Sequence, residues 1–247
     1  MLGHALGGLL ARSLSNTRQE RSEARYSATR LTDKYVLPEG IERSGRVTDA
    51  SNRQFARIQK IAAKLFAAKG FRAVGVAEIC DAVGLGRGAL YYHISSKEDL
   101  LFSIVVHHIE ALVAFGRDLL ETETEPRKRI HALSHHLTGM IFTKLPEMTV
   151  CFREADCLTG QRHRIVAELH EMYQNIWTDT LLDGAQKGIF RPLPAVAING
   201  ILGMHFHSFL WLKSGATTSS IDLAAIFADM ATSIAELGLD NAEVNAP

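Results

Sequence analysis

The chain contains 247 residues, 47% of them hydrophobic, and its formal net charge is zero. This composition is that of a soluble protein with one large or two ordinary domains. Its three cysteines include no Cys-x-x-Cys pair. That spacing argues against a disulfide scaffold or a zinc ribbon and indicates a reducing, cytoplasmic environment.

Charge is unevenly distributed along the chain. Residues 51–100, here called the head, carry eight basic and four acidic residues, a net charge of +4. Residues 101–247, the body, carry eleven basic and seventeen acidic residues, a net charge of −6. A basic head on an acidic body is typical of a protein whose head alone meets phosphate.

The first segment, residues 1–50, lacks a sustained apolar period and is rich in Arg, Ser and Gly. We predict a mobile extension there. Its apolar start has no basic residue ahead of it, which makes it a poor secretory signal.

Three helices are predicted in the head. The first follows Ser51, which forms a capping box with Gln54, and it ends at Gly70. Two short helices then flank Gly84, which supplies the tight turn of a helix-turn-helix. Ser95 or Ser96 caps a further helix, which joins the head to the body.

The body is predicted to be helical, so the whole chain has an all-α pattern. Its helices break at Pro126, Pro146, Gly160, residues 188–194 and residues 214–220. The longest uncharged stretch, residues 192–212, is long enough to span a bilayer. It contains two prolines, two histidines and Asn199, which are costly in hydrocarbon. We therefore interpret this stretch as a buried interface helix and expect no membrane partner.

One sequence motif extends from Gly84 to Leu101, with its residues at fixed spacing. Ile79 and the end of the first helix, from Phe66 to Phe71, belong to the same motif upstream. These positions resemble the DNA-binding domain of the TetR (tetracycline-repressor) family of bacterial transcription regulators. The resemblance implies a helix-turn-helix DNA-binding domain at residues 51–111 and a larger helical effector-binding and dimerisation domain at residues 112–247. It further implies a regulator, commonly a repressor, without enzymatic activity or a cofactor.

The second helix of the motif is predicted to read duplex DNA. The Arg87 guanidinium can reach guanine or phosphate, and Gly88 and Ala89 leave room for a close approach to the groove. The hydroxyls of Tyr91 and Tyr92, the His93 imidazole and the Lys97 ammonium can donate hydrogen bonds to phosphate. The alternative is that one of the two tyrosines packs on the first helix. The predicted DNA-binding residues are Gly75, Val76, Gly86, Arg87, Gly88, Ala89, Tyr91, Tyr92, His93 and Lys97.

Gly75 and Gly86 depart from the family pattern, in which both positions commonly hold hydroxyl side chains that cap helices and contact phosphate. Their backbone N–H groups remain available to an anion. We expect DNA docking to be retained, with an altered affinity or operator preference.

A palindromic operator requires two heads about 34–36 Å apart, so we expect a homodimer. In the resembling family the last two long helices pair with their mates as a four-helix bundle. We place that bundle at residues 196–212 and 223–237, where Gly200 and Gly203 permit close helix approach. The alternative is that these faces pack within one subunit.

The middle helices of the resembling family enclose an effector pocket. The stretch from Trp177 to Arg191 resembles that of regulators that respond to acyl-coenzyme A thioesters, and a drug-responsive efflux regulator is the alternative. We expect the effector to shift the helix from Leu101 to Leu119 and so change the separation of the heads. The predicted lining is apolar and aromatic: Met140, Phe142, Met148, Phe152, Trp177, His205 and Trp211.

Two rival functions would use other residues. His131 and His135 stand four residues apart and could bind a metal such as zinc, while Cys151 and Cys157 could form a redox switch. No Glu follows His131, and the chain has no Gly-x-Ser-x-Gly elbow or phosphate-binding loop. The sequence therefore predicts no metallohydrolase or other enzyme and no metal site.

Overall fold

The computed structural model describes residues 49–210 and 220–237, which form nine α-helices and no β-strand. Most of the predicted extension, residues 1–48, lies outside the described residues, as does Trp211. The helices are α1 Asp49–Lys69, α2 Val76–Val83, α3 Arg87–Tyr91, α4 Lys97–Thr122, α5 Pro126–Thr143, α6 Leu145–Arg153, α7 Gly160–Gln186, α8 Ala195–Phe206 and α9 Ser220–Leu237. Short 3-10 turns follow α6 and α8, at Ala155–Cys157 and His207–Leu210.

The first helix forms one wall of the head core. Its inward face carries Ile58, Ala62 and Phe66, all fully buried, and the Phe66 ring meets the Phe71 ring edge-on at 5.3 Å between centroids. The helix begins two residues before Ser51, so Ser51 lies in its first turn rather than at the predicted cap. Helix ends commonly shift by this much, because the first turn has no internal partners to fix its start.

The tight turn predicted at Gly84 and the cap predicted for α4 are confirmed. Gly84 has φ +71°, a left-handed conformation that favours glycine, and the Leu85 N–H donates to the Cys80 carbonyl at 3.0 Å. Ser96 caps α4 by accepting the Asp99 N–H at 3.0 Å. These contacts fix where α2 ends and where α4 begins, and so place α3 between them.

One continuous core joins the head to the body, because α4 contributes buried residues to both. In the body, α7 packs along α4, and α9 packs along α5. Arg129 secures one end of this bundle: its guanidinium donates to Asp183 Oδ2 and to the Leu120 carbonyl, each at 3.0 Å. The ends of α4 and α7 are thereby tied to the start of α5.

The predicted long helix over residues 192–212 is shorter in the structure. The α8 helix ends at Phe206 and continues only as a 3-10 turn to Leu210, so the described stretch is too short to cross a bilayer as one α-helix. Another helix, α4, has the length and composition of a membrane span, and 56% of its apolar 18-residue segment is buried inside the protein. A core helix of a folded domain has the same properties.

The return of the chain after α7 depends on a glycine at position 184. The Phe190 ring covers this position so closely that an added Cβ would lie 2.0 Å from Phe190 Cδ2. Gly184→Ala is expected to destabilise the protein by about 1–3 kcal/mol through overpacking, as measured by urea unfolding.

The matched control is Gly139→Ala within α5, where an added Cβ would have no neighbour within 4 Å. This change is expected to stabilise the protein by about 0.5–1 kcal/mol through helix propensity alone. Equal effects of the two substitutions would contradict the close packing at Gly184.

Candidate DNA-binding surface and its link to the body

The α3 helix presents a small, exposed polar surface. Arg87, Gly88 and Ala89 are exposed, and the buried Leu90 anchors the helix on the head core. Tyr91 is 45% exposed and Tyr92 is 80% exposed. The high exposure of Tyr92 argues against its packing on the first helix, whereas the same alternative for the partly covered Tyr91 stays a prediction.

Gly75 and Gly86 stand at the N-termini of α2 and α3, with extended backbone and no side-chain cap. An added Cβ would have no neighbour within 4 Å at either position, so nothing in the fold itself demands glycine there. Val76 is half-buried against the head core. Val76, His93 and Lys97 are thus the half-buried members of the predicted DNA-binding set, and its other members are exposed.

Lys97 faces the loop between α1 and α2. Its ammonium donates to the carbonyls of Phe71 and Val74, each at 2.9 Å, and lies 4.2 Å from the centre of the Phe71 ring. Two of its three donors therefore hold this loop, which leaves one for an anion. The half-buried His93 lies edge-on to Tyr92, 5.2 Å between ring centroids. Phosphate contacts by both residues remain predictions.

Three carboxylates link the head to the body. Glu154, at the end of α6, is buried, and its Oε2 accepts the Phe71 N–H at 3.1 Å. Glu98 accepts both the N–H and the hydroxyl of Thr159, at 2.8 and 3.0 Å. Asp99 pairs with Arg162 of α7. Sequence reasoning missed these contacts because each joins residues more than 60 positions apart.

The predicted effector lining is partly brought together. Ring contacts form two groups: Phe152 with Phe206, Phe209 and Tyr173, and Trp177 with His205 and Phe227. Tyr173 and Trp177 stand one turn apart on α7, where the two groups adjoin, and we call both groups together the aromatic cluster. The Trp177 and His205 rings are 5.1 Å apart, as are the Phe152 and Phe206 rings. The other described candidates belong to the same core: Met148 is fully buried, while Met140 and Phe142 are half-buried.

His205 is a neutral, hydrogen-bonded member of this cluster. Its Nδ1 is 2.8 Å from the Ile201 carbonyl, which can only accept, so Nδ1 carries the proton. Its Nε2 is then free to accept the hydroxyl of the buried Ser134 at 3.0 Å. Burial lowers the pKa of His205 from 6.5 to about 4, and burial also lowers the pKa of His170 to about 4.

The lowered pKa values of His205 and His170 predict that the stability of the protein depends on pH. In the unfolded chain both histidines take up protons as pH falls through 6.5, whereas the folded protein resists protonation until about pH 4. The free energy of unfolding is therefore expected to fall steadily from pH 6.5 towards pH 5, as measured by urea unfolding. His205→Gln should flatten this slope, and an unchanged slope would contradict the assignment.

The rival metal site gains no support from the described residues. His131 lies 3.8 Å from Asp229, but residues 49–210 and 220–237 contain no group of three or more side chains that could hold a metal ion.

The rival redox switch has two separate thiols in different surroundings. All three cysteines are free, and Cys151 is buried, which raises the pKa of its thiol. Cys157 lies instead against Glu154, with its sulfur 3.8 Å from Oε2. A buried thiol with a raised pKa reacts slowly, which favours isolated structural thiols.

An apolar surface lies on the outer side of α8 and α9. Its exposed members include Val196, Ile226, Met230 and Leu237, while the opposite side of α9 buries Phe227 and other residues in the core. Added Cβ atoms at Gly200 and Gly203 of α8 would have no neighbours within 4 Å. These helices thus pack within the subunit on one side, and on the other side these apolar side chains are left exposed by residues 49–210 and 220–237.

A helix-turn-helix whose second helix is exposed, joined to a larger helical body, is the architecture of a DNA-binding transcription regulator. Two family profiles match the chain: the bacterial regulatory proteins of the tetR family over residues 58–104, and the tetracyclin repressor-like C-terminal domain over residues 123–235. The chain belongs to the TetR family of transcription regulators and is not an enzyme. The membership of the TetR family and the all-α fold that the sequence predicted are confirmed.

Relatives with known roles include both a repressor and an activator. The transcriptional repressor KstR2 of Mycobacterium tuberculosis is 28% identical over 148 residues, which cover 60% of this chain and 74% of KstR2. The transcriptional activator FasR of Mycolicibacterium smegmatis is 31% identical over 119 residues, 48% of each chain.

Among solved structures, AibR in complex with isovaleryl coenzyme A and operator DNA has the same fold. Its TM-score is 0.65 at 23% identity, and the match covers 72% of this chain and 97% of AibR.

Proposed function

We propose that this chain is a homodimeric repressor that acts in the cytoplasm on a palindromic operator and is released by a hydrophobic or acyl-coenzyme A effector. The observation that carries the proposal is the exposed face of α3, which presents Arg87, Tyr91 and Tyr92, on a head tied to an aromatic-rich body. Repression is favoured over activation because the match to the repressor KstR2 covers more of both chains than the match to FasR.

The proposed effector site is the aromatic cluster. Its rings come from α6 to α9 and from the 3-10 turn after α8. His205 and Ser134 hydrogen-bond one another, and the only other polar groups on its rings are the buried Tyr173 hydroxyl and Trp177 indole N–H, so the described lining is mainly apolar. An apolar acyl chain is therefore a better match for this region than a strongly polar ligand. The acyl-coenzyme A ligand in the AibR structure, which shares this fold, supports the same class.

The link from this site to the head is short. Phe152 of the aromatic cluster lies two residues before Glu154, whose carboxylate holds the Phe71 N–H of the head. A ligand that displaces Phe152 would move the end of α6 and with it the loop that Lys97 also supports. Such a ligand releases DNA only if it binds the displaced form more tightly than the DNA-bound form.

Fluorescence anisotropy on the chain's own promoter DNA tests the proposal. Titration of the complex with isovaleryl-coenzyme A and palmitoyl-coenzyme A is expected to release the DNA, whereas free coenzyme A should not. Release by neither thioester would count against an acyl-coenzyme A effector, and a DNA complex unaffected by other hydrophobic ligands as well would refute the proposed effector response.

The link itself is tested with Glu154→Ala. We expect this variant to bind the effective thioester normally in calorimetry but to need at least about fivefold more or less of it for half-release, a coupling change of about 1 kcal/mol. Glu171→Ala, at an exposed position of α7, is the matched control. An unchanged release curve for Glu154→Ala would show that the signal takes another route.

A further inference from the structure

The outer face of α1 carries a row of positive charge. Arg53, Arg57, Lys60 and Lys64 follow one another at spacings of four, three and four residues, and all four are exposed. This spacing places them within about 60° of each other around the helix, along about 16 Å of its length. We call these four residues the basic stripe.

The basic stripe has few acidic neighbours in sequence. Asp49 stands one turn before Arg53 at the start of α1, and no further Asp or Glu occurs until Glu78. Within the described part of the chain, none of the four side chains forms an ion pair, whereas Lys69 of the same helix pairs with Glu78. Four cations in one row without an ion pair repel one another, so the stripe favours a polyanion.

The placement of the stripe determines which polyanion it can meet. Ile58, Ala62 and Phe66 lie on the opposite side of α1 and are fully buried, so the stripe faces away from the core. A basic amphipathic helix binds a membrane surface by inserting its apolar face, and here that face is already used by the fold. Duplex DNA, which α3 of the same head meets, is the remaining nearby polyanion.

We propose that the basic stripe binds phosphates of the operator duplex outside the base pairs that α3 reads. The inference rests on the proposed operator binding and adds a second, sequence-independent contact to it. It would also account for binding by a head in which Gly75 and Gly86 supply no hydroxyl groups to phosphate. The stripe would supply the missing affinity from a different helix.

The test compares the wild type with Arg53→Gln/Arg57→Gln/Lys60→Gln/Lys64→Gln on two operator duplexes. One duplex ends at the half-sites, and the other extends them by about one helical turn, ~10 base pairs, on each side. The logarithm of the binding constant is measured against the logarithm of salt concentration. On the long duplex the slope is expected to become shallower by about 0.9 for every phosphate that the variant no longer neutralises, and the affinity at physiological salt should fall at least about tenfold. On the short duplex the two proteins should behave alike.

Two controls separate this inference from the binding role on which it rests. Arg164→Gln, at an exposed basic position of the body, should leave both slopes unchanged. Arg87→Ala should weaken binding to both duplexes equally. If the stripe variant, shown to be folded by circular dichroism, keeps the wild-type slope, or loses affinity equally on both duplexes, the inference is wrong. Failure of the wild type to bind either duplex would instead refute operator binding itself.

Discussion

Arg87→Ala is expected to lower the affinity for the operator by about 5- to 150-fold while leaving binding to random duplex DNA much less changed. The Arg87 side chain is exposed at the start of α3, and the small neighbours Gly88 and Ala89 leave room for it to approach the bases in a DNA groove. A bidentate arginine–guanine contact contributes about 1–3 kcal/mol of discrimination, which sets this range. Anisotropy titrations on operator and scrambled duplexes of equal length measure both affinities.

Arg164→Ala provides the matched control, because it removes an exposed arginine from the body and leaves the head unchanged. It should alter neither affinity. If Arg87→Ala weakened operator and scrambled DNA by the same factor, Arg87 would contact phosphate alone, and base reading would have to come from other residues of α3.

Ile226→Glu/Met230→Glu is expected to convert the proposed dimer into a monomer and to reduce operator affinity at least about 100-fold. These side chains are 51% and 46% exposed on the outer side of α9, one helical turn apart. In the proposed four-helix bundle they would be buried against the partner, where two pairs of carboxylates would lose their hydration and repel one another. A monomer can bind only one half-site of the operator, so loss of the dimer lowers the affinity for the operator. Sedimentation equilibrium measures the mass, and anisotropy measures the binding.

Leu182→Glu makes the same chemical change at a 43% exposed leucine of α7, outside the α8–α9 surface. This control should remain dimeric and bind the operator normally. A double variant of α9 that stays dimeric would show that the outer side of α8 and α9 is not the subunit interface.

Local features of the head and body were predictable because they depend on neighbouring residues. The left-handed turn at Gly84, the cap at Ser96 and the end of α7 before Gly188 all involve groups within a few positions of one another. The extent of α8 was overestimated, since apolar composition continues to residue 212 while the α-helix ends at Phe206.

Interactions between distant parts of the chain could not be read from the sequence. The Lys97 ammonium serves the carbonyls of the α1–α2 loop, although its position at a helix start suggested an anion. Glu154 is one of many acidic residues in the body, and only the fold places it on the Phe71 N–H, 83 positions away. The basic stripe was counted in the net charge of the head, but its significance depends on which side of α1 is buried.

The length of α4 gives the regulator mechanical amplification. A helix of 26 residues is a rod of about 39 Å, so a tilt of only about 5° at its body end displaces its head end by roughly 3 Å. Opposite displacements in the two subunits would add up to about two base-pair steps of DNA. In the proposed dimer, a tilt of this size on effector binding would therefore be sufficient to move the paired heads out of phase with the double helix.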